Sequence, residues 1–128
     1  MQLTIDGARF DDIPGFYAEI NRVFMTGEDW QLGESLDALD DMLYGGYGVL
    51  KGASSVELHW LGFEKSRRDL GPACTLRWLV PKLATAHFDH TAIRSQMAAL
   101  DRGDGHTYFD MLLEIFAGHP AIRLVPGD

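Results

Sequence analysis

Six carboxylates, Glu28, Asp29, Glu34, Asp37, Asp40 and Asp41, fall within fourteen residues that contain no lysine or arginine. Acids at that density can hold a hard cation, act as a general acid and base, or present a negative surface to a basic partner. Cation binding is poorly served, because no Asp-x-Asp-x-Asp-Gly loop is present and one helix face rarely supplies about six oxygen ligands. An acid–base hydrolase needs two facing carboxylates roughly 5–9.5 Å apart in unlike environments. Neighbours on one exposed helix are all similarly solvated, so this reading ranks low. The docking surface fits best.

The remaining reactive side chains point less clearly to chemistry. His87-x-x-His90 can put two imidazoles on one side of a turn, but no further ligands stand at metal-site spacing apart from Asp89. Cys74 is alone and reads as a small core residue rather than a nucleophile. Gly45-Gly46-Tyr47-Gly48 lacks the Lys-Ser/Thr of a phosphate loop and reads as a helix stop that leaves room for a partner. Lys65, Arg67 and Arg68 are too few for a nucleic-acid patch, and no cofactor motif is present.

Those acids need elements to position them. Gln2 to Asp6 alternates and stops at Gly7, as a short strand does. Asp11 or Asp12 can cap a helix with Pro14 in its first turn and Phe16, Ile20, Val23 and Phe24 on one face, ending near Gly27. Trp30 stands in the following loop, where a large aromatic is available to an interface. A second helix starts around Glu34 or Ser35 and stops at Gly45-Gly46. At about 100° per residue it turns Leu36, Leu39 and Leu43 inward and stacks Glu34, Asp37, Asp41 and Tyr44 on another face, with Asp40 between. Mid-helix acids gain little from the helix dipole, so Asp40 and Asp41 look unneutralised.

Val56 to Trp60 reads as a strand with one better-buried face, and Phe63 to Leu70 as a short helix. Cys74 to Val80 reads as strand or helix, broken by Pro81, and Thr91 to Leu100 is helical. Thr107 can cap a helix through Ala117, and Ile122, Leu124 and Val125 form a last strand before Pro126. Strands separated by helices predict an α/β layer with a small parallel sheet, and 128 residues suit one domain over 1–128.

The charge balance agrees with docking. Of 19 acids and 11 bases, residues 1–64 hold 12 acids and 3 bases, net −9, whereas residues 65–128 hold 7 and 8, net +1. An acidic excess disfavours direct nucleic-acid binding, which needs clustered cations. No apolar run approaches the roughly 18 residues of a membrane span, no leader-like start is visible, and a lone cysteine suits a reducing compartment. The expectation is a cytoplasmic protein.

Gly33-Glu34-Ser35-Leu36-Asp37-Ala38-Leu39-Asp40-Asp41-Met42-Leu43 resembles the Gly-Glu-Asn-Leu-Asp-Ala-Leu-Trp-Asp-Cys-Leu segment of the barstar family of intracellular ribonuclease inhibitors. The resemblance runs from Met1 to about Leu70 and resumes from Thr107 to Val125, leaving residues 71–105 as an added segment. It implies a three-stranded parallel sheet packed with helices, no catalysis, and a partner that is a basic ribonuclease or nuclease-like toxin, the free protein being a monomer. Asp41 matches the family aspartate that enters the ribonuclease active site in place of a substrate phosphate. Asp37 matches a second interface aspartate, Gly45 a backbone contact, and Glu114 an interface glutamate. Ser35 replaces the usual Asn, Asp40 and Gly46 replace Trp residues, and Gln31-Leu32 replaces a common Tyr-Tyr pair. Trp30, Tyr44 and Tyr47 are the nearby aromatics left to frame the site. A non-catalytic interaction module with a non-nuclease partner is the alternative reading.

Overall fold

The computed structural model describes all residues, 1–128. Three strands, β1 (Gln2–Asp6), β2 (Val56–Leu61) and β3 (Ile122–Pro126), form one parallel sheet in that order. Parallel neighbours require crossovers, and helices supply them. Between β1 and β2 lie α1 (Ile13–Phe24) and α2 (Leu36–Leu43). Between β2 and β3 lie α3 (Phe63–Asp69), α4 (Pro72–Leu79), α5 (His90–Asp101) and α6 (Tyr108–Ala117). The α/β architecture expected from the alternation of elements is therefore present.

Register fixes the core. Ile5 pairs with Trp60 and Leu58 with Leu124, so every second residue of β2 faces inward. Val56, Leu58 and Trp60 are buried, while Glu57 and His59 are half-exposed. Trp60 is fully buried, stacked on Phe16 at 5.7 Å and met edge-on by Phe63, Phe109 and Phe116. Its indole N–H donates to Ser66 Oγ at 3.0 Å. One side chain thus joins β2 to α1, α3 and α6.

The caps explain the helix starts. Asp12 accepts from the Gly15 N–H at 2.7 Å, with Pro14 in the first turn. Thr107 and Asp110 form a reciprocal capping box on α6. The ambiguous stretch from Cys74 is helical, beginning at Pro72 and passing into a 3₁₀ turn at Val80–Ala84. Its Leu79 packs with Ile93 and Leu100 of α5 in a small second cluster, while Cys74 belongs to the main core. Burial pushes the Cys74 thiol up, consistent with a packing role. Two boundaries shift: α1 stops at Phe24, short of Gly27, and β3 includes Pro126. Pro126 closes an edge strand, a position that a residue without an N–H can take.

Of the clustered bases Lys65, Arg67 and Arg68, the first two are committed to structure. Lys65 Nζ donates to the Gly7 and Phe10 carbonyls at 3.0 and 2.7 Å and pairs with Asp69. Arg67 pairs with Glu64.

Glu19 is a carboxylate that acts inside the fold. It is only 3% exposed and accepts from the Asp6 N–H at 2.8 Å, from Arg9 at 3.1 Å and from Arg22 at 2.7 Å. Burial pushes its carboxyl up, but the Arg22 hydrogen bond, the Asp6 N–H and the two guanidinium charges outweigh this and hold it below its ordinary 4.5. A depressed folded value stabilises the protein above the unfolded value, and that stability is lost as pH falls through the folded value. Glu19→Gln should therefore flatten the loss of stability between about pH 6 and pH 3, measured by urea unfolding. An unchanged slope would show that the ion cluster contributes nothing.

Candidate functional site

Ser35 caps α2 by accepting from the Ala38 N–H at 3.3 Å, so the helix begins at Leu36 and Glu34 lies before the cap. The stripe expected from Glu34 to Tyr44 is thereby shortened to Asp37, Asp41 and Tyr44. Leu39, Met42 and Leu43 are buried, and Leu36 is half-buried. Met42 takes an inward place that the sequence reading did not assign: α2 lies against α6, and Leu39 and Met42 are both fully buried. Asp37 and Asp41 are exposed, and Tyr44 at the helix end is 76% exposed.

The turn after α2 holds the end of the helix in place. Gly45 is in the left-handed region at φ 87°, and its N–H donates to the Met42 carbonyl at 3.0 Å. Gly48 is left-handed at φ 71°, and a Cβ there would lie 2.5 Å from the Phe24 carbonyl oxygen. Glu28 Oε2 accepts from the Gly48 N–H at 2.8 Å, so this acid tethers the loop to the end of α1. Glu28 thus has a structural role beyond its charge.

Each mid-helix acid has a hydrogen-bond partner from outside α2, and neither lies against a lysine or arginine. Tyr47 OH donates to Asp41 Oδ2 at 3.0 Å. The Tyr47 ring packs against Trp30 with centroids 4.8 Å apart and planes at 53°. Burial and the Asp41 carboxylate both push the Tyr47 phenol up, so it remains a proton donor. Asp40 Oδ1 lies 2.7 Å from Nε2 of His119, whose side chain is only 6% exposed, and Tyr44 stands edge-on to that imidazole at 4.6 Å. Both partners lie outside the helix, and His119 is distant in sequence.

The other expected site residues fall on both sides of α2. A groove of about 390 Å³ between α2 and α6 is lined by Asp37, Asp40 and Glu114, bringing these three together. Glu114 also pairs with His106. Asp41, the half-buried Tyr47 and Trp30 form a separate group, while Glu34 and Ser35 border a hollow beside Lys82. Gly46, where a tryptophan is usual in the resemblance, has open space around its Cα.

Chemically, this surface presents carboxylates on and beside one helix, Asp40 and Asp41 each held by a side chain from outside it. Asp37 and Asp41, one turn apart, share one exposed face of α2. No group of three or more His, Cys, Asp and Glu side chains is placed to hold a metal ion. His90 opens α5 and meets the Thr85 carbonyl at 2.6 Å, while His87 lies against Phe88 in the preceding turn, so the two do not share a helix face.

A family model described as Barstar (barnase inhibitor) matches residues 1–86. The chain belongs to the barstar family. No curated protein and no solved structure gives a significant match. Barstar-family members are inhibitors rather than enzymes, which gives this chain a ribonuclease-inhibitor-like role and a protein partner at that level of description. The barstar match contains Trp30, the whole of α2, Gly45 and Tyr47. It continues through α4 and the Val80–Ala84 turn, into the stretch that the resemblance treats as added, and ends before α5. Glu114 and His119 lie beyond it. No helix is long and apolar enough to cross a membrane.

Proposed function

We propose that this barstar-family chain binds a basic ribonuclease or a related nuclease toxin and occludes its active site. Asp41 stands in for a substrate phosphate. The observation that carries the reading is the outward pair Asp37 and Asp41 on α2, exposed and within the matched span. Tyr44 and Gly45 follow Asp41 at the end of α2 and Trp30 is linked to it through Tyr47, while Asp40 and Glu114 line the flank toward α6 and Glu34 and Ser35 stand at the helix start. The chain acts as one domain over 1–128, with Trp78 packed against both hydrophobic clusters. It works in the cytoplasm, as immunity against the toxin, without touching nucleic acid, and is a monomer when free.

Charge concentrated in the first half steers a basic partner, so association is fast and slows as salt is raised. The test is titration of small basic ribonucleases, barnase first, with RNA cleavage as the readout. Loss of cleavage at one inhibitor per enzyme is expected; full cleavage across the set contradicts the proposal. Asp40 and Gly46 stand where the resemblance has tryptophans, which favours a partner shaped differently from barnase.

Tyr47 orients the Asp41 carboxylate. Tyr47→Phe keeps the ring against Trp30 and removes one hydrogen bond, which should weaken the complex by roughly two- to twelve-fold. In an Asp41→Ala background the same change should do nothing. Equal effects in both backgrounds would show that Tyr47 acts independently of Asp41.

A further inference from the structure

Two hollows flank α2, and a third adjoins them through shared lining residues. The groove against α6 shares Leu36 and Asp37 with a hollow of about 280 Å³ at the start of α2. That hollow shares Glu34, Trp78 and Lys82 with a third, of about 490 Å³, between α1 and the α4 turn. The result is one furrow, acidic along α2 and of a different character at its far end.

At that end the Lys82 ammonium lies 4.5 Å from the Trp78 ring centre and 4.6 Å from that of Phe88. Arg77, exposed on α4, lines the same hollow. Neither cation is in an ion pair. Of the acids there, Asp12 is used in capping α1, and Glu34 sits at the junction toward α2. Half-buried rings carrying unpaired cations match an acidic side chain flanked by apolar ones.

Size connects this end to the partner already proposed. A standard interface covers about 800 Å² per partner, a patch roughly 30 Å across, whereas an eight-residue helix is only about 12 Å long. A ribonuclease seated on Asp37 must therefore overhang the elements beside α2. We propose that the Trp78–Lys82–Phe88 end of the furrow is a second contact for that ribonuclease, receiving an acidic side chain of the partner between Lys82 and Arg77. This rests on the inhibitor reading and extends it to the α4 segment.

The sign of a charge reversal tests it. Lys82→Glu and Arg77→Glu each make the protein more negative, which by long-range steering alone would speed association with a basic enzyme and leave dissociation unchanged. Loss of a local contact instead speeds dissociation. Against barnase and other small basic ribonucleases, measured by stopped-flow association and dissociation, we expect dissociation about ten-fold faster with association unchanged or faster. Arg77→Glu touches neither aromatic ring, so it stands if Lys82→Glu disturbs Trp78. Unchanged or slower dissociation for both variants overturns the second contact. If Asp41→Ala weakens binding while these variants do not, only the second contact falls; if wild type binds none of the enzymes, or Asp41→Ala also has no effect, the inhibitor reading falls with it.

Discussion

Asp41→Ala is expected to weaken the complex with a small basic ribonuclease by about 2–5 kcal/mol, a range that rests partly on barnase with barstar itself. That corresponds to roughly thirty-fold to several-thousand-fold in Kd. The size comes from where the charge sits. Asp41 is exposed in the free protein and held by a single phenol, so it is presented to a partner with one hydrogen bond already made. On binding it loses water and must be matched by the cations of the enzyme, and truncation leaves those cations buried and unpaired. The fold should barely register the change, within about 0.5 kcal/mol, because no buried group loses a partner. Asp40→Ala should behave differently, since that carboxylate also satisfies the buried His119 and its loss reaches the turn before β3. Calorimetric titration of both variants, with urea unfolding beside it, separates the two. An Asp41→Ala protein that binds as tightly as wild type would leave active-site mimicry without its central group.

The largest effect on stability is expected at Trp60. Trp60→Ala should cost roughly 3–5 kcal/mol, which is about a fifth or more of the stability of an ordinary domain. Four aromatic rings, Phe16, Phe63, Phe109 and Phe116, lose a common neighbour, and the buried Ser66 hydroxyl loses its donor. Collapse is restricted because the rings belong to α1, α3 and α6, which are separately anchored. Trp60→Phe retains most of the area and loses the hydrogen bond, so its cost should be clearly smaller. A loss below about 1 kcal/mol for the alanine variant, by urea unfolding, would mean that Trp60 is not the centre of the core.

What could be read from the sequence divides by the reach of the forces involved. Asp12, Thr107 and the Ser35 alternative are legible because a cap acts over three residues. The α2 stripe is legible because helical period places Asp37 and Asp41 together whatever surrounds them. The run from Cys74 to Val80 is not, since a short apolar stretch has no period, and its helix is settled by Pro72 and by packing of Leu79 on α5. The partners of the acids are also invisible. His119 on Asp40, Glu28 on Gly48 and Tyr47 on Asp41 each depend on chain segments that meet only in the folded protein. Charge counting alone therefore overstates how bare the helix is, while correctly finding its position.

The most direct test of the inhibitor reading is competition at the ribonuclease active site. With barnase or another small basic ribonuclease that the protein inhibits, the apparent inhibition constant is measured at increasing concentrations of RNA substrate. If α2 occupies the place of the substrate phosphate, the apparent constant rises in proportion to substrate, and a bound mononucleotide weakens the complex to the same degree. An apparent constant independent of substrate, with the complex forming equally well on the nucleotide-filled enzyme, would contradict occlusion of the active site.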